Sequence, residues 1–231
     1  MKRGFRILVA DSDLSVLRFL RANLKASGYQ VVLAIDGEEA LGKTERELPD
    51  LIILDTMLPK VDGCEVCRRI RDWSRVPIIM LGTSGDEIDE DKCLDLCADD
   101  YIHKPFGIDE MLARVRVLLR RAEPEVVVSS PTFTSGDLEV NFACWRVTMG
   151  SNEIRLTPIE FSLLEQLVLN AGKVLTNAML LQKVWGPEYN SEVHYVHVFI
   201  ARPRKKLEPD PQQPKYILTK PGVGYYFVNT K

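Results

Sequence analysis

Short apolar runs alternate with amphipathic segments through the first half of the chain. The amphipathic segments repeat apolar residues at helical spacing, as Leu17, Leu20 and Leu24 do. The apolar runs, each bounded by polar or turn residues, predict β-strands at Arg6–Ala10, Val31–Ala34, Leu51–Leu54, Pro77–Leu81 and Asp100–His103. Five strands alternating with five helices predict an α/β fold with a parallel sheet covered on both faces. In such a fold the functional site lies at the carboxyl ends of the strands.

The pattern changes after Arg121. Residues 123–135 contain two prolines and several serines and threonines without periodicity, which predicts a linker that is in part a strand. Beyond it, short strand-like runs are followed by three helical segments and by two strands around a Pro-Gly-x-Gly turn. This order is typical of a winged helix-turn-helix. The sequence therefore predicts two domains, residues 1–122 and 136–231, joined by the linker.

Composition and charge agree with two globular domains. The chain has 231 residues, is 45% hydrophobic and 27% charged, and carries a net charge of −3. This charge lies in the first 122 residues, which hold 19 basic and 22 acidic side chains, against 11 of each in the rest. No apolar run approaches the ~18 residues that a membrane span needs. These features predict a soluble cytoplasmic protein without a membrane partner.

The start of the sequence does not predict a secretion signal, and the five cysteines are an odd number, so we do not expect a disulfide framework. The spacings Cys64-x-x-Cys67 and Cys93-x-x-x-Cys97 are compatible with four zinc ligands. Both pairs, however, fall in helical patterns, where Cys67 belongs to the small apolar positions that are expected to be buried. The favoured interpretation is therefore that they are packing thiols, with zinc binding as the alternative.

Acidic residues and a lysine follow three of the predicted strands. Asp11 and Asp13 follow the first strand, Asp55 ends the third, and Lys104 follows the fifth. We expect them to meet at one edge of the sheet. Clustered carboxylates bind hard cations, an unhindered aspartate can accept a phosphoryl group, and a lysine can neutralise a phosphoryl oxygen. The alternative is that Asp11 and Asp13 only cap the helix that follows.

Longer motifs resemble known families. ILVADSD, LIILDTMLPKVDG, VPIIML and ADDYIHKPF resemble the receiver domain of two-component response regulators, which has a flavodoxin-like (βα)5 fold. LTPIEFSLLEQLVLNAGKVLT, VWGPEY and YILTKPGVGYYF resemble the winged-helix effector of the OmpR/PhoB family, most like its Kdp-type branch. The resemblance covers nearly the whole chain. It implies a DNA-binding transcriptional response regulator with double-stranded DNA, RNA polymerase and a sensor histidine kinase as partners.

The resemblance also implies roles for individual residues. By it, Asp55 is the phosphoacceptor and Lys104 is the lysine that binds the phosphoryl group. Asp11, the residue at position 12, Asp55 and the backbone carbonyl of Met57 would form a Mg²⁺ site. Tyr101 matches the aromatic residue that rotates when the family's receivers are phosphorylated.

Two departures from the family pattern fall in this predicted pocket. The family has an acidic residue where this chain has Ser12, so one anionic ligand is missing and Mg²⁺ is expected to bind weakly. The family has threonine or serine where this chain has Gly82. Thr83 is next to it, but successive strand side chains point to opposite faces, so we do not expect Thr83 to replace the missing hydroxyl.

A third departure falls on the surface through which the family's active receivers dimerise. Two charge pairs of that surface are kept, Asp95 with Arg116 and Asp100 with Arg114. In the third pair, however, Glu90 faces Glu110, and Asp91 lies where the family has an aliphatic residue. Like charges and a charge in an apolar patch both oppose association. We therefore predict that the receiver is monomeric or that any homodimer uses another surface.

The third helix of the second half, from about Glu192, is the predicted recognition helix. Its buried stripe is expected to contain Val196, Ile200, position 203 and Leu207. The residues predicted to contact DNA, on this helix and at the wing tip, are His194, His197, Arg202, Arg204, Lys205 and Lys220. Position 203 is a proline, which removes a hydrogen bond to the carbonyl of Phe199. We therefore expect the helix to kink or end near Arg202.

Two hypotheses about regulation stay open. In the first, a sensor kinase phosphorylates Asp55. In the second, which Ser12 and Gly82 favour, phosphorylation is weak or absent and protein partners or protein abundance regulate the chain. A remote third reading is a phosphatase that uses Asp11 and Asp13, but it leaves Asp55 and the winged helix without a role. The sequence thus predicts a regulator and not an enzyme.

Overall fold

A computed structural model describes residues 4–83, 97–122, 132–186, 189 and 192–228. The chain divides into two compact units, residues 1–122 and 123–231. Among the residues that the structure describes, no helix is long and apolar enough to cross a lipid bilayer.

A five-stranded parallel sheet forms the first unit together with its helices. The strands are β1 (Arg6–Ala10), β2 (Gln30–Ala34), β3 (Leu51–Asp55), β4 (Ile78–Thr83) and β5 (Asp100–Lys104). The described helices are α1 (Leu14–Ala26), α2 (Gly37–Glu47), α3 (Gly63–Trp73) and α4 (Ile108–Ala122). The strand order β2-β1-β3-β4-β5 is that of flavodoxin-like folds, so the predicted fold is confirmed. The helix expected before Tyr101 falls in residues 84–96, which lie outside the described residues.

Local sequence explains where the first three helices begin. Asp13, Asp36 and Asp62 are their N-cap residues, and each side-chain carboxylate accepts a backbone N–H from the first turn. For Asp13 the capping interpretation is therefore correct. Strand β3 lies in the middle of the sheet and is buried at every position, which explains its continuous apolar sequence up to Asp55.

The second unit contains a four-stranded antiparallel sheet followed by helices and a small three-stranded sheet. The first sheet contains β6 (Thr132–Ser135), β7 (Leu138–Asn141), β8 (Arg146–Met149) and β9 (Asn152–Ile154). The helices are α5 (Pro158–Leu169), α6 (Asn177–Leu180) with a π-helical turn (Leu181–Trp185), and α7 (Val193–Leu207). The strands of the second sheet are β10 (Leu175–Thr176), β11 (Ile217–Lys220) and β12 (Gly224–Phe227). This arrangement is a winged helix, as predicted, and β6 uses the last residues of the predicted linker.

The helix starts in the second unit agree with the sequence, but one helix interior does not. Thr157 and Glu160 form a reciprocal capping box with Pro158 at the first helical turn, and Thr176 caps α6. Pro203, in contrast, lies inside α7, which continues to Leu207. Of the two predicted outcomes, a kink or an end near Arg202, the end is therefore wrong.

The continuity of α7 has a physical explanation in its buried stripe. Val196, Ile200, Pro203 and Leu207 are all buried, as the spacing predicts. A proline inside a helix costs about 3 kcal/mol, and fully burying one aliphatic side chain contributes about 1.5–3 kcal/mol. The stripe therefore offsets the hydrogen bond that Pro203 cannot donate to Phe199.

The cysteines of the first unit also differ from expectation. Cys67 on α3 and Cys97, three residues before β5, form a disulfide with a Cα–Cα distance of 5.9 Å. The expectation that Cys67 is a simple packing thiol is therefore wrong, although Cys67 is buried as predicted. While this disulfide is formed, Cys67 and Cys97 cannot act as the thiolate ligands that the zinc alternative needs. Cys93 lies outside the described residues.

Candidate functional site

The carboxyl ends of β1, β3 and β5 bring together the acidic residues and the lysine that the sequence places there. The ammonium of Lys104 lies 2.7 Å from Oδ2 of Asp11 and 3.1 Å from Oδ1 of Asp55. The other oxygen of Asp11, Oδ1, accepts the backbone N–H of Asp13 at 2.8 Å. Asp11 is therefore held on both oxygens, and Lys104 bridges the two carboxylates.

Burial and mutual contact shift the pKa values of Asp55 and Lys104. Burial and the nearby charge of Asp11 raise the pKa of the Asp55 carboxyl, and Lys104 offsets only part of that effect. Burial alone would lower the pKa of Lys104, but its bonds to Asp11 and Asp55 outweigh burial and raise it. The lysine therefore stays charged and balances one of the two carboxylate charges from within the protein.

The same edge of the sheet offers few ligands for a cation. Asp13 caps α1, and the side chain of Ser12 is exposed and uncharged. Across the described ranges, no three histidine, cysteine or acidic side chains converge as a metal-binding group. By the family resemblance, the donors for a hard cation would be the carboxylates of Asp11 and Asp55 with the backbone carbonyl of Met57. A cation would have to share Asp11 and Asp55 with Lys104.

Gly82 and Tyr101 are packed against each other. Tyr101 is only 2% exposed, and its hydroxyl oxygen lies 1.8 Å from where a Cβ on residue 82 would be. The phenol therefore fills the space of the side chain that Gly82 lacks. Thr83, the neighbouring residue, has an exposed side chain.

Thr56 is a residue of this region that sequence reasoning missed. Its hydroxyl lies 3.3 Å from the same Cβ position. The hydroxyl is buried and has no hydrogen-bond partner within the described part of the chain. Because threonine is common in strands and turns, nothing in the sequence marked this position.

The surface predicted to oppose dimerisation uses some of its charges within the chain. Asp100 is fully buried, and its Oδ1 lies 2.7 Å from Nη1 of Arg114. The same guanidinium pairs with Glu110 at 2.9 Å. Asp100 and Arg114 therefore form an intramolecular pair, although the resemblance places them across a dimer. The other acidic residues predicted on this surface, Glu90, Asp91 and Asp95, lie outside the described residues.

In the winged helix, α7 and the wing present a basic surface that is smaller than predicted. His197, Lys205 and Lys220 are exposed, and His194 is half-buried beside Glu192. Arg202 is 4% exposed, stacks on the ring of Phe199 and lies 3.8 Å from the buried Glu160. It is thus part of the domain core, which removes it from the surface that DNA can reach.

Arg204 connects the helix to the wing. Its guanidinium donates hydrogen bonds to the carbonyl of Ile217 at 2.8 and 3.0 Å and to the hydroxyl of Thr219 at 2.8 Å. Nearby, Nδ1 of His197 lies 2.6 Å from the hydroxyl of Tyr225, whose pKa is raised by burial. These contacts fix the wing against the recognition helix. Tyr225 had no sequence signal for this role, because its partners are distant in the chain.

Comparison with known proteins agrees with this geometry. Residues 7–116 match the family model for the response regulator receiver domain, and residues 151–227 match that for the C-terminal domain of transcriptional regulatory proteins. The transcriptional regulatory protein KdpE of Mycobacterium tuberculosis is 42% identical over 221 residues, which cover 96% of this chain and 98% of that protein. The KDP operon regulator KdpE of Escherichia coli is 42% identical over 222 residues, again 96% of this chain and 98% of that protein.

Solved structures give the same assignment. A mutant of RitR has a TM-score of 0.79 at 29% identity, and the match covers 97% of this chain and 99% of that one. DrrB, an OmpR/PhoB homologue from Thermotoga maritima, has a TM-score of 0.51 at 32% identity, and the match covers 98% of this chain and all of that one. With a receiver domain followed by a winged helix, and relatives that span both, the chain belongs to the OmpR/PhoB family of DNA-binding transcriptional response regulators.

Proposed function

We propose that this regulator binds double-stranded DNA without depending on phosphorylation of Asp55. The observation that carries the proposal is the packing of Tyr101 into the space beside Gly82. In the family, the residue at position 82 carries a hydroxyl, and the aromatic residue at position 101 rotates on phosphorylation. Here the buried phenol already occupies that space, so its position does not depend on a phosphoryl group at Asp55.

The charge balance of the pocket supports the same proposal. Lys104 is bonded to both Asp11 and Asp55, so it balances part of the negative charge that would otherwise attract a cation. Asp11, Asp55 and the carbonyl of Met57 would hold Mg²⁺, which in phosphoryl transfer stabilises the charge on the transferred group. Ser12 adds no negative charge to that set. We therefore expect weak Mg²⁺ binding and little phosphorylation.

The proposed DNA surface consists of His194, His197, Lys205 and Lys220, with Arg204 bracing the wing. Exposed lysines provide sequence-independent phosphate contacts, and the histidines near the start of α7 lie where recognition helices reach base edges. A local basic surface is sufficient for DNA binding even though the second half of the chain has no net charge.

The proposed partners follow from this role. We propose RNA polymerase as the partner at promoters, and the cytoplasm as the location, because chromosomal DNA is found there. A sensor histidine kinase stays a candidate partner. Any homodimer is proposed to use a surface other than the usual receiver interface, because Asp100 and Arg114 already pair within the chain. Membership of a family of transcriptional regulators argues against enzymatic activity, and a phosphatase that uses Asp11 and Asp13 would leave Asp55 and the winged helix without a role.

Phosphate uptake tests the pocket directly. The purified chain is incubated with acetyl phosphate and Mg²⁺, and intact-mass spectrometry measures the phosphorylated fraction. We expect a small fraction in the wild type and a larger one in Ser12→Asp, because the added carboxylate restores the missing cation ligand. Asp55→Asn is the control that must stay unmodified. Near-complete modification of the wild type at Asp55 would contradict the proposal.

A further inference from the structure

The disulfide between Cys67 and Cys97 joins two elements of the receiver that the sequence keeps 30 residues apart. Cys67 lies on α3, and Cys97 lies in the chain that leads into β5. Their Cα–Cα distance of 5.9 Å is in the usual range for disulfides, so the bond forms without movement of the backbone. Both residues are buried, at 0% and 2% exposure.

A second set of contacts holds the same two elements together without the disulfide. Arg71, one turn after Cys67 on α3, donates to the carbonyl of Cys97 at 2.8 Å and pairs with Asp99 at 2.6 Å. Asp99 in turn accepts the backbone N–H of Ile78 on β4 at 2.9 Å. Because these contacts do not involve either sulfur, the fold does not need the disulfide in order to hold the start of β5 against α3.

We propose that Cys67 and Cys97 are a reversible redox pair whose oxidation tethers the start of β5 to α3. If the protein is cytoplasmic, as the proposed function implies, a permanent disulfide would be unusual. Disulfides are rare in cytosolic proteins, and those that occur are usually transient, catalytic or redox-sensing. The tether lies three and four residues before Asp100 and Tyr101, the residues of β5 that pack against Arg114 and Gly82. Oxidation therefore acts next to the aromatic residue of β5 that, in the family, rotates when the receiver is phosphorylated.

The oxidation step is a two-electron reaction with a hydroperoxide such as hydrogen peroxide. Because both thiols are buried, the peroxide reaches one of them during a local opening of the receiver; that thiol attacks the peroxide, forms a sulfenic acid and releases one water. The second thiol attacks the sulfenic sulfur, forms the S–S bond and releases a second water. Two thiols and one peroxide thus give one disulfide and two waters. Reduction by a dithiol reverses the change, with the dithiol becoming the oxidised product.

The test uses the full chain with the competing thiols removed. A variant carrying Cys64→Ser, Cys93→Ser and Cys144→Ser keeps only the proposed pair. It is reduced with dithiothreitol, treated with hydrogen peroxide, denatured and alkylated with iodoacetamide, and its mass is measured. We expect both thiols to become protected after peroxide and to be alkylated again after dithiothreitol. Adding Cys67→Ser to the same variant is the matched control, in which no intramolecular disulfide forms.

Thermal melts provide a second readout. Closing a loop of this length removes conformational entropy from the unfolded chain, so oxidation should raise the receiver's Tm by about 5–15 °C. The control with Cys67→Ser should show no such shift. If the variant with two cysteines does not fold, fragmentation mass spectrometry of the peroxide-treated wild type identifies which cysteines are linked. Thiols that stay alkylatable after peroxide, or a bond that involves Cys64 or Cys93 instead, would overturn the proposal.

Discussion

The contact between Gly82 and Tyr101 predicts an unusual response to the mildest substitution available, Gly82→Ala. Glycine inside a strand is less stable than alanine by roughly 0.5–1 kcal/mol, so an unobstructed replacement would be stabilising. Here the new Cβ would lie 1.8 Å from the hydroxyl oxygen and 2.7 Å from Cζ of Tyr101, so the ring must leave its place. Exposing a buried aromatic side chain costs about 1.5–3 kcal/mol. We therefore expect Gly82→Ala to destabilise the receiver by about 1–2 kcal/mol.

A double-mutant cycle separates this effect from the backbone effect. Tyr101→Ala alone should cost about 3–5 kcal/mol, and Gly82→Ala in that background should gain roughly 0.5–1 kcal/mol because the obstacle is gone. The coupling energy is then about 1.5–3 kcal/mol. Tyr101→Phe is the matched control for Tyr101→Ala. Its ring would still be too close to a Cβ at position 82, so Gly82→Ala should remain destabilising in that background.

Urea-dependent hydrogen exchange of the β4 amides in the full chain measures these free energies of unfolding for the receiver alone. Additive effects of Gly82→Ala and Tyr101→Ala would refute the claim that the phenol occupies the place of a residue-82 side chain. The same reasoning means that Gly82→Thr, which restores the family's hydroxyl, must also displace Tyr101.

Three further changes test other parts of the account. Burial raises the pKa of Asp55 above its ordinary 3.8. At a pH above the raised pKa, the buried carboxylate is ionised and lowers the free energy of unfolding. At a pH below 3.8, the carboxyl is protonated in both the folded and the unfolded chain, and this loss of stability is absent. Asp55→Asn should therefore stabilise the chain at pH 7, with a gain that disappears as the pH falls towards 3.8 in parallel urea melts. Pro203→Leu should restore the hydrogen bond to Phe199 and raise the free energy of unfolding by about 1–3 kcal/mol. The DNA sequence preference should not change, because α7 is already continuous. Equal stability of the two proteins in thermal melts would count against this prediction. Arg204→Ala should lower the free energy of unfolding by about 1–3 kcal/mol, because its hydrogen bonds to the wing are lost. Lys220→Ala should leave thermal melts unchanged and reduce the slope of log affinity for DNA against log salt concentration by about one. The reverse result would contradict the assigned roles.

Much of the fold follows from patterns that act locally. Alternating apolar runs predict the parallel sheet, and the polar caps at Thr157 and Thr176 predict where two helices begin. The cluster of Asp11, Asp55 and Lys104 also follows, because strand ends of a parallel sheet share one edge.

The features that sequence reasoning missed depend on contacts between distant residues. Pro203 breaks an isolated helix, but in α7 the packing of a buried stripe outweighs one missing hydrogen bond. The charge of Arg202 predicts a side chain that contacts DNA, yet Glu160 and Phe199 stabilise it in the core. The bond between Cys67 and Cys97 depends on a distance across the fold that no spacing along the chain reveals.

DNA binding with and without a phosphodonor tests the central claim most directly. A duplex that the protein selects from a random pool is titrated with the wild type and with Asp55→Asn, each before and after incubation with acetyl phosphate and Mg²⁺. If binding does not depend on phosphorylation, all four dissociation constants agree to within about twofold at a fixed salt concentration. A roughly tenfold increase in the affinity of the phosphodonor-treated wild type that is absent from Asp55→Asn would contradict the account.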